Sequence, residues 1–218
     1  MALQSSDCGF VNERMFNNPF VSPEITRRRL PHWTKPGAVF WVNFRLADSL
    51  PHSVLQEWQE ARELWMSHHP VPWSDEEWRE YSEKFGDRLD KWLDRGIGSC
   101  VLAQQKVRDV VCACLMRFDG ERLNVHGAVI MPNHVHVLLE PLQGYTLAKL
   151  MGGIKGASAR EANRLIGGSG RFWFGESYDH IVRSREQYNH FMSYIELNPV
   201  KAKLPAGKYW LYLPGRRG

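Results

Sequence analysis

The stretch RLNVHGAVIMPNHVHVLLEP, Arg122 to Pro141, decides how this chain folds. It divides into two strand-like runs, RLNVHGAVIM and HVHVLLEP, joined by a tight Pro132-Asn133, which is the pattern of a β-hairpin. Side chains two apart on a strand share a face, so His134 and His136 stand side by side while Val135 and Val137 point the opposite way, into a core. Two readings of the pair are open at this level. Neutral imidazoles on one strand face can hold a divalent cation at a fixed bite, or they can be satisfied histidines packed on a sheet. A cation also needs a third protein group, and nothing nearby in sequence supplies it. Glu140 shares the face but lies four residues along the strand, at the edge of such a site.

Working outward, AVFWVNFRL (Ala38 to Leu46) reads as a strand after the turn-prone Lys35-Pro36-Gly37. Residues from about Ser53 to Ser67 have a helical pattern that HHPVPWS breaks. Ser74 and Glu77 then form a capping box for a second helix to about Leu93. This acidic, tryptophan-rich pair reads as an insertion over residues 51–98. Ala103 to Arg117 is a third helix with Val107, Val110, Val111 and Leu115 on one face. Thr146 caps a helix to about Leu165, which the glycines of IGGSG break. RFWFGESYDHIVRS is loop or strand, and a last helix starts after Ser184 and is expected to stop at Pro199. A mixed sheet with helices between the strands predicts an α+β domain over residues 31–204. Residues 1–30, ending in Arg27-Arg28-Arg29, read as an N-terminal arm, and 205–218 as a tail.

With 218 residues, 43% hydrophobic and 24% charged, the chain is long enough for one good core with an insertion. No apolar run has the length of a membrane span and the N-terminus lacks the pattern of a signal peptide, so a cytoplasmic protein with no membrane partner is expected. Cys8, Cys100, Cys112 and Cys114 are scattered, and CAC has the wrong spacing for a zinc knuckle, so reduced thiols are expected. Charge is uneven. Residues 51–100 carry 6 basic and 11 acidic side chains, residues 151–218 carry 11 and 5, and the C-terminal third is a candidate surface for a polyanion.

The third group for the histidines is sought in the last helix. Tyr194 and Asn198 are four apart and share a helical face if the helix persists that far, one offering a nucleophilic phenol and the other an amide oxygen. Equally, Tyr194 can be core and Asn198 a terminal cap. Tyr188 is the rival nucleophile, but six residues is not a helical repeat, so the two do not face one site together. His180 and His190 are further near-site candidates.

MPNHVHVLLEP followed by YIELNPVKAKL closely resembles the single-tyrosine HUH transposases of the insertion-sequence 200/605 kind, in particular the REP-associated tyrosine transposases. RRLPHWTKPGAVFWVNFRLADSLP and YDHIVRSREQYNHFMSYIELNPV support it, so the resemblance spans roughly residues 27 to 204, with the insertion its least typical part. It implies a ferredoxin-like core with a central antiparallel sheet flanked by helices, and chemistry on single-stranded or hairpin DNA. His134, His136 and the residue four after the tyrosine, Asn198, would hold Mg²⁺ or Mn²⁺; relatives often have Gln there. Tyr194 would attack phosphorus to give a 5′-phosphotyrosine link and a free 3′-hydroxyl. Family members act as monomers or as homodimers that exchange tyrosine helices, and such a protein is expected to be nucleoid-associated.

On this reading Lys155, Arg160, Arg164, Arg171, Arg183 and Arg185 contact phosphates while Trp173, Phe172 and Tyr178 stack on unpaired bases; otherwise the charges are solvated and the aromatics core. A histidine-triad nucleotide hydrolase would need a histidine where Leu138 stands. A domesticated hairpin-binding protein that does not cut would be expected to lose a histidine or the tyrosine, and both remain.

Overall fold

The structure is a computed structural model that describes residues 24–27, 31–34, 37–70 and 73–215. Its strands are β1 (Glu24–Arg27), β2 (Pro31–Thr34), β3 (Phe40–Arg45), β4 (Leu123–Ile130), β5 (His134–Pro141), β6 (Tyr178–Ile181) and β7 (Trp210–Tyr212). Its helices are α1 (His52–His68), α2 (Asp75–Tyr81), α3 (Asp87–Leu93), α4 (Gln105–Met116), α5 (Leu147–Ile166) and α6 (Arg185–Lys201). Five strands form one antiparallel sheet in the order β6-β3-β5-β4-β7. The chain runs β3-α4-β4-β5-α5-β6, and the spatial order of those strands, fourth, first, third, second, is the ferredoxin-like arrangement that the resemblance implied.

The predicted hairpin is there, β4 against β5, with one irregularity. Val125 opposes Leu139 and Gly127 opposes Leu138, so His126 is an extra, bulged residue. On one sheet face Val135, Val137 and Leu139 join the core under α4 and α5. On the other, Trp41, Val129 and Leu138 pack with Ile195 of α6. The sheet is therefore covered on both sides, and α6 lies over the face that carries the histidines.

The predicted insertion lies between β3 and α4. It buries Trp58, Trp65, Trp73, Tyr81, Phe85, Leu89 and Leu93 in the main core, about 1.5–3 kcal/mol for each large apolar side chain removed from water. The capping box forms, with Ser74 N donating to Glu77 Oε2 at 2.7 Å and Glu77 N to Ser74 Oγ at 3.2 Å. The helix it starts is not continuous to Leu93: a π turn, Ser82–Gly86, separates α2 from α3. The Trp58 indole takes the Phe85 carbonyl at 3.1 Å, a partner for backbone at the widened turn.

Three other expectations are corrected. Pro199 does not stop α6, which runs to Lys201; so near the end the missing N–H costs one bond, and Leu204 N caps the Pro199 carbonyl at 2.9 Å. Residues 210–212 are no tail but the fifth strand, on the outer edge of β4. Within the expected N-terminal arm, Glu24–Arg27 pairs with Pro31–Thr34 as a separate two-stranded sheet; residues 1–23 and 28–30, with Cys8, Arg28 and Arg29, lie outside the described residues.

Candidate active site

His134 and His136 are both fully buried, because β5 is flanked by β3 and β4 and roofed by α6. Their rings meet edge to face with centroids 4.7 Å apart. Burial makes the charged form costly and holds His134 down to about 3 and His136 well below its ordinary value, so both imidazoles are neutral near pH 7. The His134 tautomer follows from its neighbour. Asn133 Nδ2 donates to the carbonyls of Leu93 and Ile97 (3.0 and 3.1 Å), which fixes the amide with its oxygen toward His134 Nδ1 at 2.8 Å. His134 Nδ1–H is thus the donor, and the Nε2 lone pair is left free for a ligand.

Tyr194 comes to the same place from α6, and Asn198 lies one helical turn further along it. The Tyr194 ring lies 5.2 Å from that of His136, and Asn198 is 1% exposed. The continuation of the helix through Pro199 is what keeps Asn198 on Tyr194's face. Trp41 of β3 wedges the arrangement: it stacks on His136 (4.9 Å) and on Phe191 (4.6 Å) and meets Tyr194 edge-on. Gly127 lets α6 approach, since a Cβ there would stand 2.9 Å from Met192 Sδ. Tyr194 and His136 meet within this chain.

Sequence reasoning missed Asp90. It projects from α3 of the insertion, its side chain 13% exposed, and accepts a hydrogen bond from the Tyr194 hydroxyl at 2.8 Å on Oδ2 and one from Asn43 Nδ2 at 2.7 Å on Oδ1. His136 Nε2 is 3.9 Å from Oδ1. Asn43 lies opposite His136 in the β3-β5 register, so the sheet itself sets this contact. Only an acidic residue among many in a polar helix marked Asp90, and no local signal singled it out. Asp94, one turn on, is raised to about 6 by burial against the opposing pull of Lys201, whose ammonium sits 5.1 Å over the Tyr194 ring.

The donor atoms suit a cation. His134 Nε2, both nitrogens of His136 and Asn198 Oδ1 are buried with no hydrogen-bond partner, and an uncompensated polar atom in a dry site is costly unless something binds it. Two neutral imidazoles and an amide oxygen are donors that Mg²⁺ or Mn²⁺ accepts. Among the described residues no three His, Cys, Asp or Glu side chains gather as a metal cluster.

Residues 103–198 match the model of the IS200-like transposase family.

The resemblance read from the sequence is borne out over that segment, which holds β4, β5, α5 and β6 and ends on Asn198, so it contains His134, His136 and Tyr194. It leaves out β3 and the insertion. Among solved structures, the chain is similar to a REP-associated tyrosine transposase bound to a REP hairpin, at 13% identity over 81% of this chain and 74% of that one, TM-score 0.43. It is also similar to a Deinococcus radiodurans R1 protein assigned as a transposase, at 14% identity over 84% and 95%, TM-score 0.35. No curated protein sequence gives a match.

The expected DNA contacts divide. Trp173 and Phe172 are core residues, 5% and 7% exposed; Trp173 packs on Phe44 and donates to Ser158 Oγ at 3.0 Å, so it has no free face for a base. Tyr178 is likewise held, against Tyr81 and Ser82 Oγ. The Lys155 ammonium is lowered to about 8 by burial and is engaged with the carbonyls of Phe174 and Gly175 and with Ser177 Oγ, holding a loop rather than reaching outward. Arg160 and Arg164 are exposed, but on α5, beneath the opposite face of the sheet from His134 and His136. Arg164 pairs with Glu161 at 3.0 Å. Arg171 is exposed in the loop before β6. Arg183 and Arg185 lie at the start of α6, on the layer that carries Tyr194.

Tyr188 is turned from the site, its hydroxyl 3.3 Å from His126 Nδ1, and Glu140 is held by that same His126 and by Asn124. His180 is buried beside Phe191, and His190 also packs on Phe191. Cys112 and Cys114 lie in α4, where burial raises both thiols above their ordinary value. No helix among the described residues is long and apolar enough to cross a membrane.

Proposed function

We propose that this chain is an IS200-like transposase that cleaves and rejoins single-stranded DNA through Tyr194, with His134, His136 and Asn198 holding one Mg²⁺ or Mn²⁺, at hairpin sequences. The observation that supports it best is a phenol beside two buried, neutral histidines that keep His134 Nε2 and both His136 nitrogens without a hydrogen-bond partner, with the buried, unengaged oxygen of Asn198 one helical turn from Tyr194. A bound cation would polarise the scissile phosphate and neutralise the charge that builds on its oxygens. The chain does the rest. Trp41, stacked on Phe191, meets the Tyr194 ring edge-on, Asn133 fixes His134, and the closed sheet face keeps bulk water from the histidines.

Tyr194 Oη forms a bond to phosphorus as the P–O3′ bond breaks, leaving a 5′-phosphotyrosine and a 3′-hydroxyl. The covalent link conserves the phosphodiester energy, so no ATP is needed, and the free 3′-hydroxyl of another end can reverse the step. Because the nucleophile reaches histidines of its own chain, cleavage does not require exchange of α6 between copies, and a homodimer is compatible with it. Action on DNA places the protein with the nucleoid in the cytoplasm.

The test uses purified protein, end-labelled hairpin DNA from the sequence flanking its own gene, and Mg²⁺ or Mn²⁺. A denaturation-resistant protein–DNA adduct is expected, lost in Tyr194→Phe, His134→Ala and His136→Ala and kept in Tyr188→Phe. Hairpin binding without any adduct, with both metals and several hairpins, would replace this reading with that of a domesticated protein that binds and does not cut.

A further inference from the structure

We infer that Asp90, carried by the helical insertion, is the proton acceptor for Tyr194, so that the insertion is part of the catalytic machinery rather than an appendage. The inference rests on the proposal that Tyr194 is the nucleophile.

A phenol is a poor nucleophile while it holds its proton, and an adjacent base in hydrogen-bond reach is the usual remedy. The Tyr194 hydroxyl donates to Asp90 Oδ2 at 2.8 Å, within the distance at which a proton passes directly. The base is in turn oriented by a third group. Asn43 Nδ2 donates to the other oxygen, Oδ1, at 2.7 Å, which fixes the carboxylate plane with Oδ2 toward the phenol. Asn43 is on β3 directly opposite His136, so nucleophile, base and orienting amide are referred to the same strand pair as the histidines. The other candidates are placed elsewhere: Glu140 is committed to His126 and Asn124, and the two buried histidines have free nitrogens but do not hold the hydroxyl.

A second anchor keeps α3 in place. The carbonyl of Leu93, its last residue, and that of Ile97 accept from Asn133, the residue that orients His134. A helix whose only task was to cover apolar surface would not need to bring a carboxylate onto the one tyrosine that faces the histidines.

In the cleavage step the proton leaves Tyr194 Oη for Asp90 Oδ2 as the Oη–P bond forms, and the O3′ leaving group takes a proton from solvent water. Religation returns both. Taking the proton also makes Asp90 neutral as the phosphate closes on it, which removes the repulsion a carboxylate would otherwise exert there.

The experiment measures the single-turnover rate of adduct formation and, separately, hairpin affinity, for the full chain and for Asp90→Asn, each with natural Tyr194 and with Tyr194→fluorotyrosine, whose phenol ionises more readily. General-base removal is expected to slow Asp90→Asn by about 10²–10⁴-fold with hairpin affinity unchanged. The fluorinated phenol is expected to restore Asp90→Asn by tenfold or more, on the order of what one unit of eased ionisation supplies, and to change the wild type little. An Asp90→Asn rate equal to or above the wild type overturns the inference, as does a slow variant that the fluorinated phenol does not rescue, which would make Asp90 a packing contact. Wild-type protein that forms no adduct overturns the tyrosine-nucleophile reading itself and this inference with it, and is distinguished by that from failure of Asp90 alone.

Discussion

Replacing both buried histidines, His134→Gln with His136→Gln, is expected to remove a specific acid sensitivity of the fold. Both groups are fully buried and burial holds them below the ordinary value of 6.5, His134 at about 3. The unfolded chain binds protons on these rings as soon as the pH drops through 6.5, whereas the folded chain does not. Their contribution is therefore fully present above 6.5 and is lost as the pH falls toward the folded value. At about pH 5, which is 1.5 units below the unfolded value, the loss for His134 is about 2 kcal/mol at 1.36 kcal/mol per unit, and His136 adds to it in the same direction.

The quantity to measure is the stability of the wild type minus that of the double variant, from urea unfolding with a chelator present. Other titrating groups cancel in this difference. Asp94 is one: raised to about 6 by burial, it binds protons more readily folded than unfolded, so its share of stability rises as the pH falls from 6 toward 3.8. The difference is expected to shrink by about 2 kcal/mol or more between roughly pH 7.5 and pH 5. A difference that stays constant over that range would mean the folded histidines titrate as if in water, and the closed, neutral ligand pair described above would be wrong.

Three further outcomes follow from the geometry. Asn133→Ala removes two hydrogen bonds to the end of the insertion and the acceptor that orients His134; a loss of about 1–3 kcal/mol by urea unfolding is expected, with Mn²⁺ binding by calorimetry weakened about 10–100-fold. Gly127→Ala pushes a methyl against Met192 Sδ and, because a sulfur at a chain end can yield, should cost about 1 kcal/mol in thermal unfolding while displacing α6 enough to slow adduct formation. Trp173→Phe loses the bond to Ser158 and core volume, on the order of 1–2 kcal/mol in the same unfolding assay, yet should leave hairpin affinity unchanged, since no face of Trp173 is open to a base.

What the sequence made legible was set by periodicity. Alternation placed His134 and His136 on one face and Val135 and Val137 on the other, and the structure keeps both. A spacing of four placed Asn198 under Tyr194, and the same helical geometry turned Tyr188 away. Strand order followed less directly, because β7 is only three residues long and carries little pattern of its own. Aromatic residues misled: Trp173 in RFWFGES is composed like a base-stacking platform, but its indole N–H finds Ser158 of α5 and its ring Phe44 of β3, contacts that no local pattern announces. Pro199 misled too, since a proline rule written for helix interiors weakens where only the final turn is at stake.

Asp90 was illegible for a different reason. It is 104 residues from Tyr194 and 47 from Asn43, and it sits in a segment whose composition announces only a solvated acidic helix. Which residue of that helix turns inward depends on where α3 docks. Docking is set by the apolar Leu89 and Leu93 packing into the main core and by Asn133 binding the carbonyls of Leu93 and Ile97. With Leu89 and Leu93 turned into the core, Asp90, next to Leu89, is brought to the mouth of the site. The family segment, residues 103–198, contains the histidines, the tyrosine and Asn198, but neither the strand that brings Trp41 and Asn43 nor the helix that brings Asp90. In this chain the orientation of Tyr194 therefore depends on parts of the fold outside that segment, and any truncation of the insertion should be felt first there.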